Sequence, residues 1–262
     1  MRAMHLAALT CATLAGTWPV IRVALDTSLL TRLTAAAAPI NKGMKLKILP
    51  LGASIVWGQG STDGNGFRKA LRDILVANGN KDVSYVGSVR HGTMVYNACE
   101  AFPGQVIQSV ANKALEHRVY TKYTPDIVLV HVGTNDCRSG TASSDDMARR
   151  FAWLLDSIRR KSPNAFVLAS TLIPNLDPRR ESCIQKYNAR LPAVVEKARK
   201  GGQKVALVDM HAAVPRSQVS KKDKTHPTDE GYKTMARAWY HALVKNQALL
   251  RKEGMIAAVG KG

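Results

Sequence analysis

The chain has 262 residues, 45% of them hydrophobic, enough to bury the core of one catalytic domain with a short appendage. Lys and Arg number 38 against 19 Asp and Glu, a net charge of +19 that draws polyanions to the surface. No aromatic-interleaved basic motif accompanies that charge, which sets nucleic acid aside as a partner and favours an acidic polysaccharide or a membrane surface.

Residues 1–43 read as a leader. Arg2 and His5 precede an apolar run from Leu6 to Ala15, the layout of a secretory signal, although Pro19 and Arg22 break the apolar character beyond it. A mitochondrial-type or unprocessed leader is the alternative. Neither this run nor the one from Leu29 to Ile40 reaches the roughly 18 apolar residues of a membrane span. The expectation is a secreted monomer without an integral span, its catalytic domain occupying residues 44–262. Cys11 lies in the leader, leaving Cys99, Cys137 and Cys183. In an oxidising compartment Cys137 and Cys183 are the favoured pair, since both are expected in loops at the same sheet edge; buried, unpaired thiols are the alternative. No Cys or His spacing points to a metal.

From Lys45 onward, aliphatic runs alternate with amphipathic stretches. Strands are predicted at Leu46 to Leu51, Val83 to Val86, Ile127 to Val132, Phe166 to Ser170 and Val205 to Val208. Helices are predicted around Gly66 to Asn78, Val106 to Tyr120, Asp145 to Lys161, Ser182 to Lys200 and Asp229 to Leu250. Strands that are apolar on both faces need cover on both. The fold class is therefore α/β: a three-layer α/β/α sandwich around a mainly parallel, five-stranded sheet. In such sheets chemistry sits beyond the carboxyl ends of the strands.

Candidate residues fall at those ends. Ser54 follows the first strand within Gly52-Ala53-Ser54, where small residues allow a sharp turn that presents a hydroxyl; alone, it reads equally well as a helix cap. Gly104 precedes the second long helix and offers a backbone N–H. Asn135 follows the third strand in Gly133-Thr134-Asn135-Asp136, with an amide that suits an oxyanion or a plain turn. Asp223-Lys224-Thr225-His226 precedes the last helix, and an aspartate three residues before a histidine can reach its Nδ1–H within one turn.

The four blocks in this order resemble the SGNH/GDSL hydrolase superfamily from Lys45 onward. Gly66-Phe67-Arg68, Val86-Gly87-Ser88, Glu100 with Gly104, and the run from His131 to Asp136 are similar to its acetylxylan-esterase-like carbohydrate esterases. The resemblance implies a flavodoxin-like sandwich and a serine esterase with Ser54 as nucleophile, His226 as base and Asp223 as its orienter. It implies an oxyanion hole from the N–H of Ser54, the N–H of Gly104 and the amide of Asn135. No metal or organic cofactor is implied. The substrate would be a short ester, acetyl on xylan foremost; a general short-chain or lipolytic esterase and a non-catalytic carbohydrate-binding relative are the alternatives. Ala53 departs from the family's Gly-Asp-Ser, which removes loop-supporting hydrogen bonds but leaves each chemical role filled. His131 and His211 read as packing residues, Trp153 as core beside Leu154 and Ile158, Trp57 as a candidate sugar wall, and Asp136 as the anchor of its own loop.

Overall fold

A computed structural model of the chain describes residues 39–139 and 143–250. The leader up to residue 38, with Cys11, lies outside the described residues. Ile40 is 1% exposed and tied to Asn80 by two hydrogen bonds, so this end of the expected leader packs with the body.

Strand β1 (Leu46–Gly52) is central. The short helix α1 (Ser54–Trp57) and α2 (Phe67–Ala77) come after it, then β2 (Val83–Tyr85), β3 (Val89–Arg90) and β4 (Ala98–Ala101). Next are α3 (Ile107–Glu116), α4 (Val119–Tyr123), β5 (Ile127–His131), α5 (Ser144–Lys161) and β6 (Phe166–Ser170). Helices α6 (Pro178–Asn188) and α7 (Leu191–Lys200), β7 (Val205–Val208), α8 (Met210–Ala213) and α9 (Asp229–Lys245) complete the order. The sheet runs β3-β4-β1-β5-β6-β7, with β2 beside the first half of β1. Every pairing is parallel except β3 with β4.

Alternation along the strands builds two cores. Ile48, Ile127, Leu129, Phe166 and Leu168 face a layer made by α2 and α9, where Trp239 is fully buried. Leu49, Leu51, Val128, Val130 and Val167 face the opposite layer of α3, α5, α6 and α7. Each such side chain contributes about 1.5–3 kcal/mol by leaving water, and cover on both faces explains the unbroken apolar strands.

The sheet has seven strands, two more than predicted. The missed β4 reads Ala-Cys-Glu-Ala, without a β-branched residue. It holds the fully buried Glu100, whose carboxylate accepts from Ser88 N–H at 2.8 Å and lies 2.7 Å from His117 Nδ1. The stretch expected as one helix from Val106 to Tyr120 breaks at Arg118, whose φ is 54°. The one expected from Ser182 to Lys200 is two helices. The first starts earlier, because Asp177 caps it and Pro178 occupies the first turn, and Pro192 opens the second. The last helix ends at Lys245, with a 3-10 turn over Gln247–Leu250. Trp153 is not core. The buried stripe of α5 runs through Met147, Phe151, Leu154, Leu155 and Ile158, and Trp153 falls outside it at 36% exposure.

Cys137, in the turn after β5, forms a disulfide with Cys183, which lies within helix α6 and not in a loop as expected, while Cys99 is free and buried. Among the described residues no helix is long and apolar enough to cross a membrane.

Candidate active site

Register decides the site. Gly52 pairs with Ala101 of β4 on one side and His131 of β5 on the other, so three strands end at one level. Gly52 is required there: a Cβ would lie 2.2 Å from the His131 carbonyl oxygen and 2.5 Å from Val56. Ser54 stands two residues beyond this level, Gly104 three and Asn135 four. Phe102 N–H donates to Gly52 O at 3.1 Å, tying the Gly104 turn to the strand that presents Ser54.

Ser54 opens α1, 8% exposed. Its turn is held without the family's aspartate: Trp57 N–H donates to Ala53 O, and the N–H groups of Gly58 and Gln59 donate to Ser54 O. From outside, the buried Arg68 guanidinium donates to Trp57 O and Tyr232 Oη donates to Gln59 O. Trp57 stacks on His91 with ring centroids 4.2 Å apart, forming an aromatic wall one turn beyond Ser54.

Residues 172 positions apart then meet: Ser54 Oγ lies 2.8 Å from His226 Nε2. His226 Nδ1 lies 2.8 Å from Asp223 Oδ2. A carboxylate only accepts, so Nδ1 carries the ring proton, and Nε2 accepts from the Ser54 hydroxyl. Asp223 Oδ1 accepts from the backbone N–H groups of Thr225 and His226, both at 3.0 Å. Burial raises the Asp223 carboxyl, but these N–H groups and the imidazole outweigh it, and the group titrates below its ordinary range. The aspartate is therefore an anion at neutral pH, oriented by its own turn. Lys224, at φ 62°, shapes that turn.

Sequence reasoning misses the support of this loop. The Asn175 amide and the Arg180 guanidinium each donate to Thr225 Oγ1 at 3.2 Å, and Thr225 Oγ1–H donates to Asp223 O. Leu176 N–H donates to Lys224 O at 2.8 Å. These partners lie 45 to 50 residues upstream, and no local pattern links them. Only the Asp177-Pro178 cap, which places Arg180 in a first helical turn, is legible in the chain.

Asn135 donates one amide hydrogen to Gln105 O at 2.9 Å, which joins it to the Gly104 turn. Gly104 has φ 80° and open space around its α-carbon, so glycine serves conformation here and not packing. Asp136 ties its loop to other elements and not, as expected, through local bonds: Oδ2 accepts from Ile107 N–H at 3.0 Å, and Arg150 pairs with Oδ1. Burial raises its carboxyl, partly offset by those two donors. His211 is half-buried against Glu181 at 2.8 Å.

His131 is 2% exposed. Ser170 Oγ donates to Val130 O, so His131 Nδ1–H donates to Ser170 Oγ at 2.8 Å. Burial lowers its pKa from the ordinary 6.5 to about 4. Between those values the unfolded chain binds a proton that the folded chain refuses, so stability is lost as pH falls from 6.5 to 4. The loss from this residue is expected to approach roughly 3 kcal/mol. Urea midpoints measured between pH 7 and 4 would check it, and a His131→Asn chain with the same acid slope would contradict it.

A three-layer α/β/α sandwich with serine, histidine and aspartate in one hydrogen-bonded row at its strand ends has the architecture of the SGNH hydrolases. Residues 51–234 match the GDSL-like Lipase/Acylhydrolase family, and the chain belongs to it. It is 28% identical over 248 residues to a multidomain esterase of Ruminococcus flavefaciens, covering 83% of this chain and 31% of that protein. The curated relatives it matches are thus spanned over half their length or less. Among solved structures, a family 3 carbohydrate esterase of Clostridium thermocellum superposes with TM-score 0.69 at 26% identity, over 79% of this chain and 100% of that one. A carbohydrate esterase family 3 protein of Talaromyces cellulolyticus shares the fold, with TM-score 0.65 at 21% identity over 78% and 98% of the two chains.

Proposed function

We propose that the chain is a serine esterase that removes acetyl groups from plant cell-wall polysaccharide such as acetylated xylan. The observation that carries this reading is the row Ser54, His226, Asp223, with 2.8 Å at each link. Ser54 Oγ attacks the ester carbonyl while its proton passes to His226 Nε2, and Asp223 stabilises the imidazolium. Negative charge on the carbonyl oxygen is met by the N–H groups of Ser54 and Gly104 and by the Asn135 amide hydrogen not used on Gln105. The sugar hydroxyl leaves with the proton from His226. Water, deprotonated by the same ring, then cleaves the acyl-enzyme to release acetate and free Ser54. Each step uses side chains and backbone of this chain, without a metal or organic cofactor, and one chain supplies all parts.

The polysaccharide reading draws support from the carbohydrate esterases among the structural relatives. The Cys137–Cys183 disulfide supports a secreted protein acting in an oxidising compartment. The test is acetate release from acetylated xylan by the wild type and by Ser54→Ala, beside an acyl-chain series of aryl esters. Undiminished release by Ser54→Ala would sink the nucleophile; aryl-ester turnover without release from xylan would point to a general short-chain esterase.

Asn135→Ala is expected to lower kcat by about 10²–10³-fold, the cost of one oxyanion donor. Because the same amide holds Gln105, KM is expected to rise as well. A kcat within a factor of about three of wild type would remove Asn135 from the oxyanion hole.

A further inference from the structure

The positive charge is scattered in sequence, but the fold collects part of it beside Ser54 and His226. The bonds Leu176 N to Lys224 O and Arg180 to Thr225 Oγ1 bring the first turn of α6 against the loop of Asp223 and His226. Arg179 and Arg180 belong to that turn and Lys221, Lys222 and Lys224 to that loop, all exposed except the half-buried Arg180. The carboxylates of these segments are otherwise engaged. Asp177 accepts from the backbone of Arg179 and Arg180, Glu181 holds Asn175 N–H, Gln185, His211 and Arg216, and Asp223 holds His226. The Arg180 N–H, and after it the charges of Arg180 and Lys224, hold the Asp177 carboxyl below its ordinary range, so that carboxylate offsets part of the charge of both. Among the described residues none of the five cations forms an ion pair with a carboxylate of either segment. The rim of these two segments thus carries five cations against the three carboxylates Asp177, Glu181 and Asp223, an excess of positive charge that favours a ligand carrying negative charge.

We infer that this rim binds the carboxylates of an acidic polysaccharide, so that the preferred substrate of the Ser54 site is an acetylated polymer bearing uronic acid groups. The inference rests on the esterase reading above and deepens it. Lys221, Lys222 and Lys224 precede His226 by two to five residues in the loop that carries it, which puts a carboxylate bound there beside the reacting end of the site. A membrane surface fits less well: the exposed large apolar side chains Val76, Val95, Tyr96 and Trp153 all belong to other segments. Nucleic acid fits less well too, because neither segment's exposed residues include an aromatic ring on which bases stack.

The test compares acetylated glucuronoxylan oligosaccharides with neutral acetylated xylo-oligosaccharides, using wild type and the triple variant Arg179→Gln, Lys221→Gln, Lys222→Gln. At low ionic strength the kcat/KM ratio of acidic to neutral substrate is expected to fall about tenfold in the variant. Added salt is expected to lower the wild-type ratio and leave the variant's nearly level. The single reversal Lys222→Glu, which alters one exposed side chain, is expected to shift the ratio in the same direction. Calorimetric binding of deacetylated glucuronoxylan oligosaccharides should weaken in parallel. That measurement needs no turnover, so a wild type inert on all esters would end the esterase reading while the rim is still decided by binding. Equal losses on both substrates, an unchanged ratio, or stronger wild-type binding to DNA or to phosphatidylserine vesicles than to the acidic glycan would overturn the inference.

Discussion

Ser54→Ala and His226→Ala are each expected to lower kcat for an aryl acetate by about a millionfold, and the double replacement by no more than either alone. The reason is the shared proton: with Nε2 2.8 Å from Oγ, the hydroxyl becomes a nucleophile only as the ring takes its hydrogen. Remove the ring and the alcohol stays protonated; remove the hydroxyl and the ring has nothing to activate but water. Residual turnover would come from the oxyanion donors and from substrate positioning. Burst kinetics and active-site titration with a serine-directed phosphonate would check the result. Multiplying losses in the double variant would mean that the two residues act separately, and the relay would have to be abandoned.

Asp223→Asn is expected to cost about 10⁴-fold in kcat while the protein stays folded. Asp223 Oδ1 accepts from the N–H groups of Thr225 and His226, a site an amide oxygen can fill. The amide nitrogen then replaces Oδ2 and points hydrogens at His226 Nδ1. Nδ1 must become the acceptor, its proton moves to Nε2, and Nε2 can no longer take the proton of Ser54. Asp223→Ala, which leaves the ring free to choose its tautomer, is expected to lose less. Ring nitrogen chemical shifts would show the tautomer directly. A variant with full activity, or one with the Nδ1–H tautomer retained, would contradict the account.

The parts of the site differ in how far they are legible in the sequence. Asp223 and His226 share one turn, so their spacing permits a contact that the conjunction of blocks singles out, and the structure has it. Ser54 on its own looks like a helix cap, and it does open a short helix. Its contact with a histidine 172 residues away is a tertiary fact that only the order of the blocks anticipates. Gly104 is visible as a helix-start glycine, but the strand that leads into it is not. Alanine, cysteine and a buried glutamate do not look like β-structure until Ser88 and His117 are seen to satisfy the carboxylate. Ala53, from sequence, leaves its loop short of hydrogen bonds. Arg68 and Tyr232, from helices on one face of the sheet, supply support that no local reading of the Gly-Ala-Ser turn contains.

The α/β/α layering, the succession of the parallel strands β1, β2, β5, β6 and β7 and the residue types at the strand ends are written in the amino-acid sequence. They arise from apolar periodicity and turn chemistry, which act over a few residues. Folding in three dimensions sets the common level of Gly52, Ala101 and His131, the outward face of Trp153 and the support of the His226 loop by Asn175 and Arg180. It also gathers the basic rim. Each depends on strand register, on packing or on hydrogen bonds between residues tens of positions apart, and none of these leaves a local trace in the chain.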